Sequence, residues 1–196
     1  MASPELHVVH SPPRRGFTDH ALFGMAVFVF TEIMLFAGFI SAYVIVRNAV
    51  MPGLWPPPDQ PRLPFERTGL NTAALLASGV LVWTARRAAS RRGPAAARFP
   101  LSLGLALGAL FVVLQGAEWV SLLRQGLTLE SSQVGSFFYL IIGTHALHAV
   151  CALGLLAWCW AGLVAGNFRP ARFGAVQLLW YFVVLVWPVL WLVVYR

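Results

Sequence analysis

Lysine is absent from the 196 residues, only seven residues are acidic, and charged side chains make up 11% of the chain. Soluble domains average about 25% charged residues. With 59% of its residues hydrophobic, a soluble fold of this size could not hide its apolar side chains and still present a polar surface. The shortage of charge therefore excludes an ordinary soluble domain and a disordered chain. Cysteine is scarce too, with only Cys151 and Cys159 present, which excludes a secreted disulfide scaffold. On one helix these two lie about 12 Å apart, whereas bridged Cα atoms lie within about 7 Å, so they read as small buried residues. There is no Walker motif, no glycine-rich nucleotide loop, no Cys-x-x-Cys and no nucleophile–base pair. The N-terminal stretch carries Pro4, Pro12, Pro13, Arg14 and Arg15, without a short apolar core before a small-residue cleavage site. A cleaved signal peptide is not expected.

Long apolar runs are what the sequence does have. Five are long enough to cross a bilayer, which takes about 20 residues: 21–46, 69–85, 99–123, 134–165 and 173–195. The expected fold is an all-α integral membrane protein, a bundle of five transmembrane helices (residues 21–196) behind a polar tail (residues 1–20). The second run is the shortest, and Asn71 and Thr72 at its start suggest a polar rim. Between the first two runs, Met51 to Pro64 holds six of the 13 prolines, which bars a helix, and Trp55 there reads as an interface anchor. Gly104 and Gly108, and Gly38 with Ala42, are spaced for close helix approach.

All 14 basic residues are arginine, and the net charge is +7. In a membrane protein such an excess marks cytoplasmic loops, so it speaks for topology and not for nucleic acid. With the N-terminus inside, the cytoplasmic side holds Arg14, Arg15, Arg86, Arg87, Arg91, Arg92, Arg98, Arg169 and Arg172. Arg47, Arg62, Arg67, Arg124 and Arg196 fall outside. The bias favours a cytoplasmic N-terminus and a periplasmic C-terminus. No internal repeat is evident, which weakens an inverted-repeat transporter.

Ionisable groups within a span are costly and mark function or buried pairing. Glu32 lies about 18 Å into the first span, near the midplane, where a bare carboxylate would be strongly destabilised. It reads either as a proton-exchanging carboxyl or as a neutral acid locking the first span to a neighbour. His145 and His148, at i and i+3, share one face of the fourth span, and His145 could approach Glu32 if the two spans pack together. Two axial haem ligands approach from opposite faces, and zinc wants about four ligands, so interhelical hydrogen bonding is the better reading of the histidines, and no metal is expected. Glu118, late in the third span, reads by itself as an interfacial acid near Arg124, with Trp119 as a belt aromatic.

These residues also carry a family resemblance. Thr31-Glu32-Ile33-Met34-Leu35-Phe36-Ala37-Gly38-Phe39, Leu70-Asn71-Thr72 with Ser78-Gly79, Leu114-Gln115-Gly116-Ala117-Glu118-Trp119, and Phe137-Phe138 with Gly143-Thr144-His145-Ala146-Leu147-His148 follow in order. The chain resembles subunit III of the haem-copper oxidases (cytochrome c oxidase type), in its short five-span bacterial form, over about residues 17–195. The last span departs: where the family often reads Trp-His-Phe-Val-Asp, this chain has Trp180-Tyr181-Phe182-Val183-Val184, and Pro188 lies deep in the helix.

The resemblance implies a non-catalytic subunit of a proton-translocating respiratory oxidase in the bacterial plasma membrane. It implies no cofactor in this chain, with haem and copper in partner subunits. Subunits I and II would be the partners, with membrane lipid, room for bound phospholipid, and membership of a larger respiratory supercomplex open. Glu32 would match the family's buried, carbodiimide-reactive carboxyl, and His145, His148, Glu118 and Asn71 would make interhelical polar contacts. The two extra N-terminal helices that form a lipid-filled cleft in the seven-span form are not expected. Alternatives are an accessory subunit of nitric oxide reductase, a small proton-coupled transporter using Glu32, and a haem-binding membrane cytochrome.

Overall fold

A computed structural model describes residues 18–50, 65–125 and 133–195. Met51 to Pro64, with Trp55, and most of the N-terminal tail lie outside them. The described residues form five long helices: α1 (Thr18–Val50), α2 (Phe65–Arg92), α3 (Arg98–Arg124), α4 (Gln133–Val164) and α5 (Pro170–Tyr195). Each contains a stretch long and apolar enough to cross a membrane.

The second helix is not the short span expected at 69–85. It runs for 28 residues, and Arg86, Arg87, Arg91 and Arg92 ride on its last turns instead of forming a loop. Alanine and arginine are strong helix formers, and arginine can keep its stem along apolar surface while its head reaches water. The helix stops at Gly93, whose φ of +90° is a conformation L side chains rarely adopt. One 3-10 turn, Pro94–Ala97, then leads directly into Arg98 at the start of α3.

The α4–α5 connection is equally tight. Gly166 adopts a φ of +78°. The amide of Asn167 donates to Gly162 O at 2.8 Å, and that of Gly166 to Leu163 O at 3.5 Å, which is the paired hydrogen bonding of a Schellman cap. Pro170 then opens α5, where its missing N–H costs nothing. The helix runs on through Pro188.

Helix α5 is the hub, touching α1, α2 and α4, while α1 packs only on α4 and α5 among the described residues. Half of the apolar window of α5 is buried against 11% in α1, which makes α1 the outer helix. Trp180 and Trp187 of α5 are fully buried. Gly108 is the reason Trp180 fits: a Cβ there would lie 2.8 Å from the indole ring. Gly104 instead lets α2 approach, and Ser78 Oγ donates to its carbonyl at 2.7 Å. The Gly38 site in α1 faces no neighbour within 4 Å, so the spacing with Ala42 serves no contact within the described bundle. Of the cysteines read as buried, Cys159 is buried but Cys151 is exposed, and both are free.

The far end of α1 is tied to the last turn of α5. Tyr43 O–H donates to Val194 O at 3.4 Å and Arg47 Nη1 to Val193 O at 3.3 Å. The C-terminal carbonyls of a helix have no partner within the helix, and a cation beside them also suits the negative end of the helix dipole.

Candidate functional site

Two polar constellations lie inside the bundle, and the first joins α1 to α4. His148 Nε2 stands 3.1 Å from Glu32 Oε2, with each side chain 15% exposed. The other ring nitrogen, Nδ1, is 2.8 Å from Thr144 O, one turn back on α4. A backbone carbonyl can only accept, so Nδ1 carries a proton and donates. Nε2 is then either a bare acceptor facing a protonated carboxyl or a second donor facing a carboxylate. The approach is not an aligned hydrogen bond, so the contact draws its strength from electrostatic attraction between the two groups.

Aromatic rings enclose the pair. Phe28, Phe36 and Phe182 lie 6.4, 5.8 and 5.9 Å from the His148 ring. Phe36 and Phe182 are buried, so water reaches the carboxyl poorly, and a low local dielectric strengthens the pairing.

His145 does not meet Glu32. Its ring packs edge-on against Phe36 at 6.2 Å and lies over Trp187 at 5.2 Å. It is 1% exposed, and neither ring nitrogen has a hydrogen bond among the described residues. Three residues along a helix turn the side chain by about 300°, so the two histidines share a face only loosely. The phase of α4 gives His148 to α1 and His145 to α5.

The second constellation joins α2, α3 and α5. Asn71 Nδ2 donates to Gln115 Oε1 at 3.2 Å and to Phe111 O at 3.3 Å. Gln115 Nε2 donates to Glu118 Oε2 at 3.0 Å, and Thr68 Oγ1 donates to the same oxygen at 3.1 Å. Thr72 Oγ1 donates to Thr68 O at 2.7 Å and accepts from Trp187 Nε1 at 2.9 Å. Glu118 is thus an interhelical acceptor and not an isolated rim acid, and it has no ion pair with Arg124 among the described residues. Trp119, read as a belt aromatic, is half-buried against the core with Nε1 enclosed. Thr68 escaped the sequence reading, which took Thr72 only as part of a polar rim and Gln115 only as part of a family-like stretch. The signal was available: Thr68 and Thr72, four apart, lie on one side of α2, and Gln115 precedes Glu118 by three.

No group of three or more His, Cys, Asp or Glu side chains that could hold a metal occurs among the described residues. The arrangement pairs an acid with a histidine and fixes helices to one another.

Known proteins place the chain. The family model for cytochrome c oxidase subunit III matches residues 13–196. The chain is 32% identical to cytochrome c oxidase subunit 3 of Synechocystis sp. over 201 residues, covering 98% of this chain and 84% of the relative. It is 34% identical to the Gadus morhua protein of that name (95% and 72% covered) and 33% identical to the Gallus gallus one (88% and 68%). The chain belongs to the cytochrome c oxidase subunit III family.

As a subunit III it departs from the often-seen family pattern in α5, and the structure shows what fills those positions. Tyr181 O–H accepts from Gln177 Nε2, and Gln177 Oε1 accepts from Arg86 Nη1 at 3.0 Å. Tyr181 therefore belongs to a polar tie at the arginine-rich end of α2. Val184 packs on α2 at Gly79, where a Cβ would lie 3.1 Å from a valine methyl. An apolar knob against a glycine occupies the place of the family's acid.

Proposed function

We propose that the chain works as the non-redox subunit III of a haem-copper terminal oxidase in a bacterial plasma membrane. Haem and copper reside in subunits I and II, and the N-terminus faces the cytoplasm. The single observation that carries the role is the Glu32–His148 pair at 3.1 Å, an acid and a histidine flanked by aromatic rings on the outermost helix of the bundle. Phe23, Phe30, Met34 and Ile45 leave a long exposed apolar face on that helix. A face of this kind is covered by lipid tails or by a neighbour, and in this reading the catalytic subunit I takes part of it. The pair then stands beside the catalytic subunit, where it supports proton uptake and lasting turnover.

The oxidase is favoured over nitric oxide reductase because the relatives above carry the name of cytochrome c oxidase subunit 3. Arginine asymmetry supports the orientation: nine on the proposed inner side against five on the outer.

The test is the intact oxidase carrying Glu32→Gln. The initial rate of oxygen consumption is expected to stay within about twofold of the parent, as for loss of one weak membrane contact, and activity is expected to decay faster during prolonged turnover, with altered proton uptake. An unchanged lifetime and unchanged uptake would leave Glu32 a packing residue. A purified oxidase without a 21.5 kDa chain of this sequence would remove the subunit reading itself.

A further inference from the structure

A cavity of about 230 Å³ lies where α3, α4 and α5 meet, lined by the aromatic side chains of Phe111, Trp119, His145 and Trp187. Phe111 and Trp187 are buried and stand edge to face, 5.1 Å apart. The His145 ring lies 5.2 Å from the same indole. Between α3 and α4 the wall is built of small residues, Gly116, Ala146 and Ala149, with exposed Val150 among them. A Cβ on Gly116 would meet no atom within 4 Å, so the seam is open there and a hydrocarbon chain can leave sideways into the bilayer. An apolar cavity of about 150 Å³ takes up benzene, and this one has room for a single substituted ring.

Two of the lining side chains carry buried nitrogens without a partner among the described residues. Both ring nitrogens of His145, itself 1% exposed, have none, and neither has Trp119 Nε1. Side chains tilt towards the N-terminus of their own helix. Consecutive spans cross the membrane in opposite directions, so Trp119 on α3 and His145 on α4 lean towards each other. An indole N–H only donates, whereas a neutral imidazole has one donor and one acceptor. A buried polar group left without a partner costs free energy, so an occupant that both donates and accepts is favoured over a purely apolar one.

We infer that this cavity binds the dihydroxy ring of a membrane quinol. The ring lies against Phe111 and Trp187, where aromatic faces pack edge-on or offset, and its tail passes between α3 and α4 at Gly116. One hydroxyl donates to the bare nitrogen of His145, and a ring oxygen accepts from Trp119 Nε1. Water could meet these nitrogens but would leave the aromatic walls unpacked. The oxidised ring has carbonyls in place of hydroxyls and cannot donate to His145, so the site prefers the reduced form. The site rests on the membrane-spanning reading and not on the oxidase role, and it applies whichever way the bundle faces.

The test uses the full chain in phosphatidylcholine nanodiscs, titrated with decyl hydroquinone under anaerobic conditions, with binding counted in excess of protein-free discs. The parent chain is expected to show one saturable site, and to bind the dimethyl ether of the same hydroquinone more weakly by about threefold for each hydrogen bond lost. His145→Phe and Trp119→Phe keep a ring in place and are each expected to reduce that preference, and the double variant to erase it. Gly116→Leu fills the open seam without displacing an atom, and Ala149→Phe fills the cavity from α4; each is expected to abolish saturable binding. No saturable binding by the parent, an ether bound as tightly as the hydroquinone, full preference kept by the double variant, or full binding in Gly116→Leu overturns the site. Oxygen consumption of the oxidase reads the proposed function separately, so either proposal can fail without the other.

Discussion

The Glu32–His148 pair makes a quantitative prediction through a double-mutant cycle. The perturbations are Glu32→Ala, His148→Ala and both together, with Glu32→Gln as the isostere. His148 Nδ1–H is fixed by Thr144 O, so in the neutral ring Nε2 is an acceptor. A glutamine at position 32 can donate its amide N–H to that acceptor, and alanine cannot. The contact is 3.1 Å long, off-line and 15% exposed on both sides, which places it at the average and not the maximum for polar contacts in membrane bundles. That average is about 0.6 kcal/mol, against a maximum of about 1.7 kcal/mol. The expected coupling is therefore about 0.6 kcal/mol, or roughly threefold in the unfolding equilibrium constant. Each single alanine costs more than this, because each also removes packing against the surrounding phenylalanines. Glu32→Gln is expected to lose less than half of what Glu32→Ala loses. The assay is reversible unfolding of the full chain in mixed detergent–lipid micelles with increasing sodium dodecyl sulfate, followed by tryptophan fluorescence. A coupling indistinguishable from zero, or a Glu32→Gln variant as unstable as Glu32→Ala, would refute the polar pairing of Glu32 with His148.

Three further outcomes follow from the packing. Gly108→Ala drives a methyl to 2.8 Å from the buried Trp180 ring and 3.1 Å from Leu153, an overpacking worth about 1–3 kcal/mol, read as a lower unfolding midpoint in the same micelles. Thr72→Val removes the acceptor of Trp187 Nε1 and is expected to cost about 1 kcal/mol, while Thr72→Ser restores most of it; equal stabilities for the valine and serine variants would contradict the bond. For topology, Ser90→Cys in a chain carrying Cys151→Ser and Cys159→Ser puts one exposed thiol beside the arginines of α2. In right-side-out membranes an impermeant maleimide should label it only after permeabilisation, and labelling of sealed membranes would reverse the orientation.

Hydropathy makes the five helices legible because a bilayer-crossing segment must satisfy its own backbone and carry an apolar surface. The extent of α2 was not legible for the same reason. Arginine scores as outside the membrane, yet Arg86 to Arg92 prolong a helix whose backbone does not register their charge. Where that helix stops was open to reading, since Gly93 and Pro94 are a glycine–proline break of the ordinary kind. The polar tie between α2 and α3 was half legible. Asn71 and Glu118 stood out as polar groups in apolar runs, but Thr68 drew no notice and Gln115 was noted only within a family-like stretch until both proved to be their partners.

Which histidine meets Glu32 depends on a rotation that the spacing does not contain. Residues 145 and 148 differ by about 60° around α4, and either could face α1. The choice is made by the neighbour on the other side. Helix α5 brings Trp187, fully buried, against the His145 ring at 5.2 Å and a tilt of 31°, and holds that indole through Thr72. Phe36 of α1 then wedges between the two histidines, 6.2 Å from one ring and 5.8 Å from the other. With His145 held by α5 and Phe36 filling the space beside it, His148 is the ring left facing Glu32. The acid–histidine pair is thus positioned from α5, by residues that touch neither the carboxyl nor the proton, and its geometry depends on the helix in which this chain departs from its family.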